Sequence, residues 1–368
     1  MSSYDAAEQM LRRVLFAGGG TGGHVYMAIA LRDALKGLGG ETRFLFVGTR
    51  EGLENQILNS ADFPLRTIEI GGLKNVGVRR VLETLLQLPG SLVQSGRIVK
   101  AFSPDLTVGL GGYSSGPAVL AARWARVPSL IIEPNVVPGF TNRLLGKWVD
   151  AVAVAFPETA ACFEKKARVT GIPVRREFHR IPPWSRKQGP LRVLVCGGSR
   201  GSHAINRLVC EALPFLDAER IQIHHQTGRQ DLERVQAHYR ECGFGSGVSA
   251  FIHDMADQFA HSDLVVSRAG ALTIAEVTAA GRPAILIPFP GAADDHQTRN
   301  AQALVRSRAA LMVREGASSG KHLAARILEL EQDRVRLSKM ARASRSLAQT
   351  GSTQKIVALM EDLAKGRP

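Results

Sequence analysis

The 368-residue sequence predicts an α/β protein made of two similar domains, each with a parallel sheet. Three observations carry that expectation. RVLFAGGGTGGH at 13–24 returns 179 positions later as RVLVCGGSRGSH at 192–203, identical at seven of twelve positions. A second echo follows: DLTVGLGGYSSGPAVLAARWARVPSLIIEP from Asp105 and DLVVSRAGALTIAEVTAAGRPAILIPFP from Asp263 both read as apolar strand, glycine turn, alanine-rich helix, proline and apolar strand. That order is a βαβ unit with a buried parallel pair. The length itself exceeds what one core usually accommodates, so two domains are expected.

Taken in order, the first glycine cluster should turn a buried strand sharply into a helix. From Leu73 to Phe102, apolar positions at helical spacing are joined by Arg79, Arg80, Arg97 and Lys100 with almost no acid, and Pro89-Gly90 should divide the pattern into two helices. Such a face can rest on an anionic bilayer; alternatively Leu82, Leu85, Leu86 and Val93 pack against the sheet. VDAVAVAF from Val149 reads as a strand, and Pro157-Glu158-Thr159 starts a helix. The proline-rich, basic IPPWSRKQGP that follows GIPVRREF reads as the interdomain linker. Beyond the second glycine strand come strand-like IQIHHQTG, a helix over 231–239, a short strand at Phe251-Ile252, and a mostly helical tail after Gln297. The pattern over 337–365 is helical and can cross back to the first domain.

Hydrophobic residues at 45% and charged residues at 22% fit a folded α/β protein and exclude wholesale disorder. No stretch reaches the length of a membrane span, and the polar MSSYDAAEQM leader fits neither a signal nor a transit peptide, so a cytoplasmic location is expected. Cys162, Cys196, Cys210 and Cys242 lack metal-ligand spacing and read as reduced core residues. A net charge of +14 and a pI near 10.1 call for an anionic partner. Aromatic residues at 6%, not interleaved with the basic ones, argue against nucleic acid.

The chemistry follows from the turns. A glycine cluster between strand and helix leaves free helix N–H groups facing an anion, which points to a phosphate-bearing ligand. Neither copy has the Gly-Lys-Ser/Thr of a nucleoside-triphosphatase loop or the full dinucleotide spacing, so ATPase and dehydrogenase readings weaken. In SRAGALTIAEVTAAG the amides near Leu272 and Thr273 open a helix suited to a diphosphate, and Glu276 lies about one turn on. A carboxylate there can accept two hydrogen bonds from a ribose diol, or simply favour the helix dipole.

GGGTGGH at 18–24, GGYSSGP at 111–117, EPN at 133–135, GIPVR at 171–175, GGSRGS at 197–202, RAGALTIAE at 268–276 and DDHQTRNA at 294–301 together closely resemble the MurG family, over nearly the whole chain. These are the peptidoglycan UDP-N-acetylglucosamine transferases acting on the lipid-linked muramyl-pentapeptide. The resemblance implies the GT-B fold, two Rossmann-like domains facing across a cleft. It implies an N-terminal acceptor and membrane-facing domain over 1–170, on which a helix at about 345–366 packs back, and a C-terminal donor domain over 171–344. Thr21, Gly22 and Gly23 would lie near the sugar and diphosphate, with Asn135 on the N-acetylglucosamine. Arg175 and Ser199 would approach the phosphates or sugar, Ile252 would hold the uracil by its backbone, and Ala271, Leu272, Thr273, Ile274, Ala275 and Glu276 the phosphates and ribose. Gln297 would meet the sugar hydroxyls. His24 is the first candidate base and Glu133 the second; His24 could equally cap its helix and support the turn.

Pro134 replaces the family's glutamine, Met27 a frequent proline and Ile172 a common asparagine, which changes the acceptor side more than the donor side. With no DxD-type site, no metal and no cofactor are expected, and leaving UDP would be stabilised by helix N-termini and Arg175. The implied reaction inverts the α-linked donor at the C4 hydroxyl of the muramyl sugar. The implied partners are UDP-N-acetylglucosamine, the polyprenyl-diphosphate-linked acceptor and the anionic inner face of the cytoplasmic membrane, without nucleic acid. A GT-B enzyme using another acceptor, and a sugar-nucleotide 2-epimerase or non-catalytic nucleotide binder, are the competing readings.

Overall fold

The computed structural model describes residues 11–366 apart from 40, 50–56, 60, 72–77, 186–187, 199–200, 246 and 293–294, and of 78–83 and 85 the backbone alone. Two compact units divide the chain: one ends at Pro173 and resumes at Gly351, and the other is Val174–Thr350.

The first unit holds β1 (Arg13–Gly18), β2 (Arg43–Thr49), β3 (Leu65–Ile68), β4 (Leu106–Gly111), β5 (Ser129–Glu133), β6 (Ala151–Val154) and β7 (Ala167–Val169) in the order β3-β2-β1-β4-β5-β6-β7. The second holds β8 (Leu191–Cys196), β9 (Ile221–Gln226), β10 (Val248–Ser249), β11 (Leu264–Ser267), β12 (Ala284–Leu286) and β13 (Ala310–Met312) in the order β10-β9-β8-β11-β12-β13. Every pairing is parallel. The two orders are the same path walked twice, with one further strand closing the first sheet. In each, the order reverses beside the strand that carries the glycine turn, and in such sheets ligands bind outside the carboxyl ends of the strands at that reversal.

The two acids that open the paired echoes do the same job. The Asp105 carboxylate accepts from the Arg13 amide at 2.9 Å and the Asp263 carboxylate from the Arg192 amide at 2.9 Å, each tying the next strand to the start of the glycine strand.

Strand alternation feeds two faces. Leu191, Val193 and Val195 of β8 enter one buried cluster of the second unit, while Leu194 and Cys196 enter the other. A sheet covered on both faces needs such near-continuous apolar strands. In the first unit Leu15, Ala17, Leu45 and Val47 face one side. On the other side of β1 and β2, Phe16, Phe44, Phe46 and Phe63 pack with ring centroids 5.9–6.3 Å apart.

Several expectations are corrected. Residues 73–77 lie outside the described residues, and the rest of the 73–102 segment is one helix, Val78–Phe102, unbroken at Pro89-Gly90. Buried Ser91, Ser95 and Val99 recur every fourth residue along it, and the Ser91 hydroxyl donates to the Leu88 carbonyl at 2.8 Å beside the proline, so packing outweighs the lost amide. Leu86 and Val93 are 82% and 55% exposed and do not pack on the sheet. The side chains of Arg79, Arg80, Leu82 and Leu85 lie outside the described residues.

IPPWSRKQGP is no linker. Phe178 and Ile181 are buried in the second unit's core, and the Trp184 indole donates to Asp263 at 2.9 Å. The division therefore falls after Pro173 rather than after 170, and the helix Arg334–Ser346 stays with the second unit through Leu337 and Met340, so the returning segment starts at Gly351. The strand beside β9 is Val248–Ser249, with Phe251-Ile252 in the following loop, and the helix expected over 231–239 is Leu232–Glu241. Cys162 is exposed, and only Cys196 is fully buried.

Candidate functional site

In the second unit the turn after β8 is forced by close backbone approach. Gly201 has φ of +75°, and a Cβ there would lie 2.0 Å from the Thr227 carbonyl oxygen. No other residue fits. Ser202 caps the helix His203–Ala212 by accepting from the Ile205 amide. Ser199 lies outside the described residues.

The turn after β11 opens the helix Ala271–Ala280 with Gly270 as a cap that has no side chain to offer. Helix geometry leaves the amides of Ala271, Leu272 and Thr273 without carbonyl partners inside the helix, the arrangement that suits an anion. Ile274 is instead tied to the Gly270 carbonyl, and Ala275 is partly buried on the next turn. Glu276 is 8% exposed, and its carboxylate accepts from Arg175 Nη2 at 3.0 Å. Burial pushes the Glu276 carboxyl up, and the Arg175 charge and hydrogen bond pull against it. Arg175 in turn lies over the Phe178 ring at 4.8 Å.

Three side chains frame this opening. Gln297 takes two backbone amides on Oε1, Phe289 at 3.0 Å and Ala269 at 3.3 Å, so its amide nitrogen is the end left for a ligand. Gln226, at the end of β9, donates to the Gly198 carbonyl at 2.8 Å and accepts from the Ile252 amide at 2.9 Å. The Ile252 amide is thereby engaged within the protein. Arg268 donates to Ser202 Oγ at 2.8 Å, to the carbonyls of Ile287 and Pro288, and to Glu315. Neither Gln226 nor Arg268 was assigned a role from sequence. A polar residue ending an alternating strand, and the arginine inside RAGALTIAE, were the signals present.

In the first unit the turn after β1 reaches Thr21, the extended cap of the helix Gly22–Lys36, with Gly22 and Gly23 as its first two residues. His24 Nδ1 is 2.8 Å from the Gly19 carbonyl. A carbonyl can only accept, so this contact assigns the proton to Nδ1 and leaves Nε2 as the basic nitrogen. Opposite, Gly111 and Gly112 both have positive φ; a Cβ on Gly111 would be 3.1 Å from His24 Nε2, and one on Gly112 would be 2.4 Å from the Gly19 carbonyl oxygen. The GGY glycines therefore let β4 press against the first turn.

Glu133 is 1% exposed and fully engaged. Oε1 accepts from the Asn135 amide at 2.9 Å and its side chain at 3.1 Å, and Oε2 accepts from the Gly139 amide and Asn142 Nδ2, both at 2.9 Å. Burial pushes its carboxyl up against those four donors. A carboxylate with its acceptor directions filled shapes the turn that presents Asn135; that argues for a positioning role and against a base. Asn142, absent from the sequence reading, supplies one of those donors from the helix Phe140–Leu145.

Among the described residues no group of His, Cys, Asp and Glu is arranged to hold a metal ion.

The halves match the glycosyltransferase family 28 N-terminal domain over 14–154 and the glycosyltransferase family 28 C-terminal domain over 192–359. With the two parallel sheets, this defines a GT-B glycosyltransferase that uses a UDP-sugar. The UDP-N-acetylglucosamine--N-acetylmuramyl-(pentapeptide) pyrophosphoryl-undecaprenol N-acetylglucosamine transferase of Anaeromyxobacter sp. (strain Fw109-5) is 45% identical over 96% of this chain and 94% of its own. The crystal structure of Acinetobacter baumannii MurG matches with a TM-score of 0.75 at 33% identity, covering 95% of this chain and 99% of that one. The chain belongs to the MurG family. A putative UDP-N-acetylglucosamine 2-epimerase from Listeria monocytogenes also matches, with a TM-score of 0.67 at 14% identity over 97% of this chain and 98% of that one, and shares the fold alone.

Proposed function

We propose that this chain moves N-acetylglucosamine from UDP-N-acetylglucosamine to the C4 hydroxyl of a polyprenyl-diphosphate-linked muramyl-pentapeptide, a step of peptidoglycan synthesis. Its 45% identity over 96% of the chain to relatives bearing that activity in their name is the observation that carries the reading. The second unit takes the donor: amides of Ala271, Leu272 and Thr273 face the diphosphate, Glu276 the ribose, the Ile252 carbonyl the uracil, and Gln297 Nε2 the sugar. Arg175 leaves Glu276 for a phosphate as the ribose arrives.

The acceptor oxygen attacks the anomeric carbon as the bond to UDP breaks on the opposite side, giving the β-linked product. The acceptor proton passes to His24 Nε2, while Thr21, Gly22, Gly23 and Asn135 position the sugars. UDP leaves carrying the bonding pair, and its charge is met by the helix amides and Arg175. UDP release that depends on adding the polyprenyl-diphosphate-muramyl acceptor is the expected result. UDP release without it, or 2-epimerised sugar, refutes this reading.

We place the enzyme on the inner face of the cytoplasmic membrane. Among the described residues no helix is long and apolar enough to cross a membrane. Leu86 and Val93, seven residues apart on one helix face, and Trp124 on the neighbouring helix are 82%, 55% and 67% exposed, with Arg97 and Lys100 exposed nearby. Exposed apolar side chains on two packed helices, with exposed basic residues on one of them, suit an anionic interface. Cosedimentation with acidic vesicles, weakened by salt, is expected; equal binding to neutral vesicles, or none to either, removes this assignment.

A further inference from the structure

A cavity of about 880 Å³ opens in the first unit at the end of the sheet remote from the glycine turn. Its walls include Arg43 at the start of β2, Leu65 and Arg66 at the start of β3, and Phe102 just before β4. The turn lies beyond the far end of β1, about 16 Å away at the rise of a parallel strand. The volume is that of a small-ligand site.

Among the described residues five cations line it, Arg32, Lys36, Arg43, Arg66 and Arg97, and Asp62 is the one carboxylate. Arg32 is held in place, donating to the Ala61 carbonyl at 2.7 Å and to Asp33 at 2.8 Å while lying over the Phe63 ring at 5.0 Å. Among the described residues no carboxylate pairs with Lys36, Arg43, Arg66 or Arg97. Lys36 ends its helix, where the dipole favours a cation. Arg43 and Arg66 stand on strands and Arg97 lies above the last turn of its helix, so no helix dipole accounts for these three. Between the charges the wall is apolar, formed by buried Phe44 and half-buried Ile98 and Phe102.

We propose that this cavity binds an organic phosphate carrying an apolar group, the phosphate held by Arg43, Arg66 and Arg97 and the apolar part against Phe44, Ile98 and Phe102. Guanidinium groups pair with phosphate oxygens in forked geometry, and such charge-assisted bonds are the strong ones. The site is separate from the transferase chemistry and does not depend on that reading. A lipid headgroup and a soluble phosphorylated compound share this chemistry.

Calorimetry with dihexanoyl phosphatidic acid below its micellar concentration tests it. Saturable binding is expected, at least about tenfold tighter than inorganic phosphate and weakened about tenfold or more in the Arg43→Gln/Arg66→Gln double variant. Both side chains are exposed, and Arg97→Gln provides a second variant on a different element. A phosphate bound elsewhere in the molecule is insensitive to all three changes. If the Arg43→Gln/Arg66→Gln variant, which leaves the basic residues of the membrane face intact, also loses binding to phosphatidylglycerol vesicles, the natural source is a lipid; if vesicle binding persists while the short-chain ligand is lost, the source is soluble. No saturable binding, equal affinity in wild type and variants, or inorganic phosphate binding as tightly as the amphiphile overturns the proposal.

Discussion

His24 and His203 occupy the same place in the duplicated turn and do opposite things. His24 points Nδ1 at the Gly19 carbonyl inside its own turn, with Gly111 packed close to Nε2. His203 swings away: its side chain is 71% exposed and pairs with Asp231 at 3.1 Å. Behind it runs a buried chain in which Asp231 accepts from Asn206 at 2.7 Å, Asn206 contacts His225 at 3.0 Å, and His225 meets the Tyr239 hydroxyl at 3.0 Å. One turn keeps a histidine at the strand-end opening; the other is braced from behind by a polar network. A repeated motif conserves the backbone turn, while the neighbours decide which side chain is left to act.

The largest effect should separate those two histidines. His24→Ala is expected to lower turnover by about 10²–10⁴-fold with donor affinity nearly unchanged, while His203→Ala changes turnover by less than about threefold. If both variants lose activity equally, the imidazole at 24 is only part of a turn scaffold.

Next comes the donor unit's carboxylate. Glu276→Gln keeps the size and loses the charge, so donor affinity should fall by about one to two orders of magnitude, the worth of a charge-assisted pair at about 1.5–3 kcal/mol. A 2′-deoxyribose donor should bind wild type more weakly and lose much less further in the variant. Calorimetry over both donors and both proteins reads the coupling, and fully additive losses assign Glu276 to helix support alone.

The smallest effect concerns the brace. Burial holds the His225 imidazole down to about 3, against an ordinary 6.5, and burial also lowers His179 in the same unit. A depressed folded value means that the proton prefers the unfolded chain. The neutral form's contribution is complete above pH 6.5 and declines as pH falls towards 3, at about 1.4 kcal/mol per pH unit for His225. Urea midpoints of the second unit should therefore drop between pH 7 and pH 5, and His225→Gln, though less stable at pH 7, should show a flatter profile. An unchanged slope would clear His225 of the acid sensitivity.

The parts legible in the sequence were those fixed by backbone geometry. Glycine clusters between apolar runs announced both turns, and the paired echoes announced the strands beside them, because only glycine survives at contacts such as Gly201 on Thr227. What stayed hidden depends on packing between distant segments. Pro89 reads as a breaker, yet a buried stripe of serines and a valine carries the helix through it. The proline-rich 181–190 stretch reads as a linker, yet Ile181 and Trp184 are anchored in the second unit. Gln226 and Arg268 carry ordinary residue types whose importance appears only once β9, β8, β11 and β12 end in one row. Glu133 stands in the sequence as the second candidate base after His24; its four donors come from a turn that sequence spacing does not resolve.

The helix Ser352–Lys365 belongs to the first unit and packs on Gly22–Lys36, burying Ile356, Val357 and Met360. A ribosome delivers it only after the whole second unit. The first unit therefore waits for residues that follow the second before it can close, while the unit threaded between has all its own residues earlier. Synthesis order and completion order are reversed: a chain stalled near 350 carries a whole second unit and leaves apolar surface uncovered on the first, on the very helix that starts at its glycine turn.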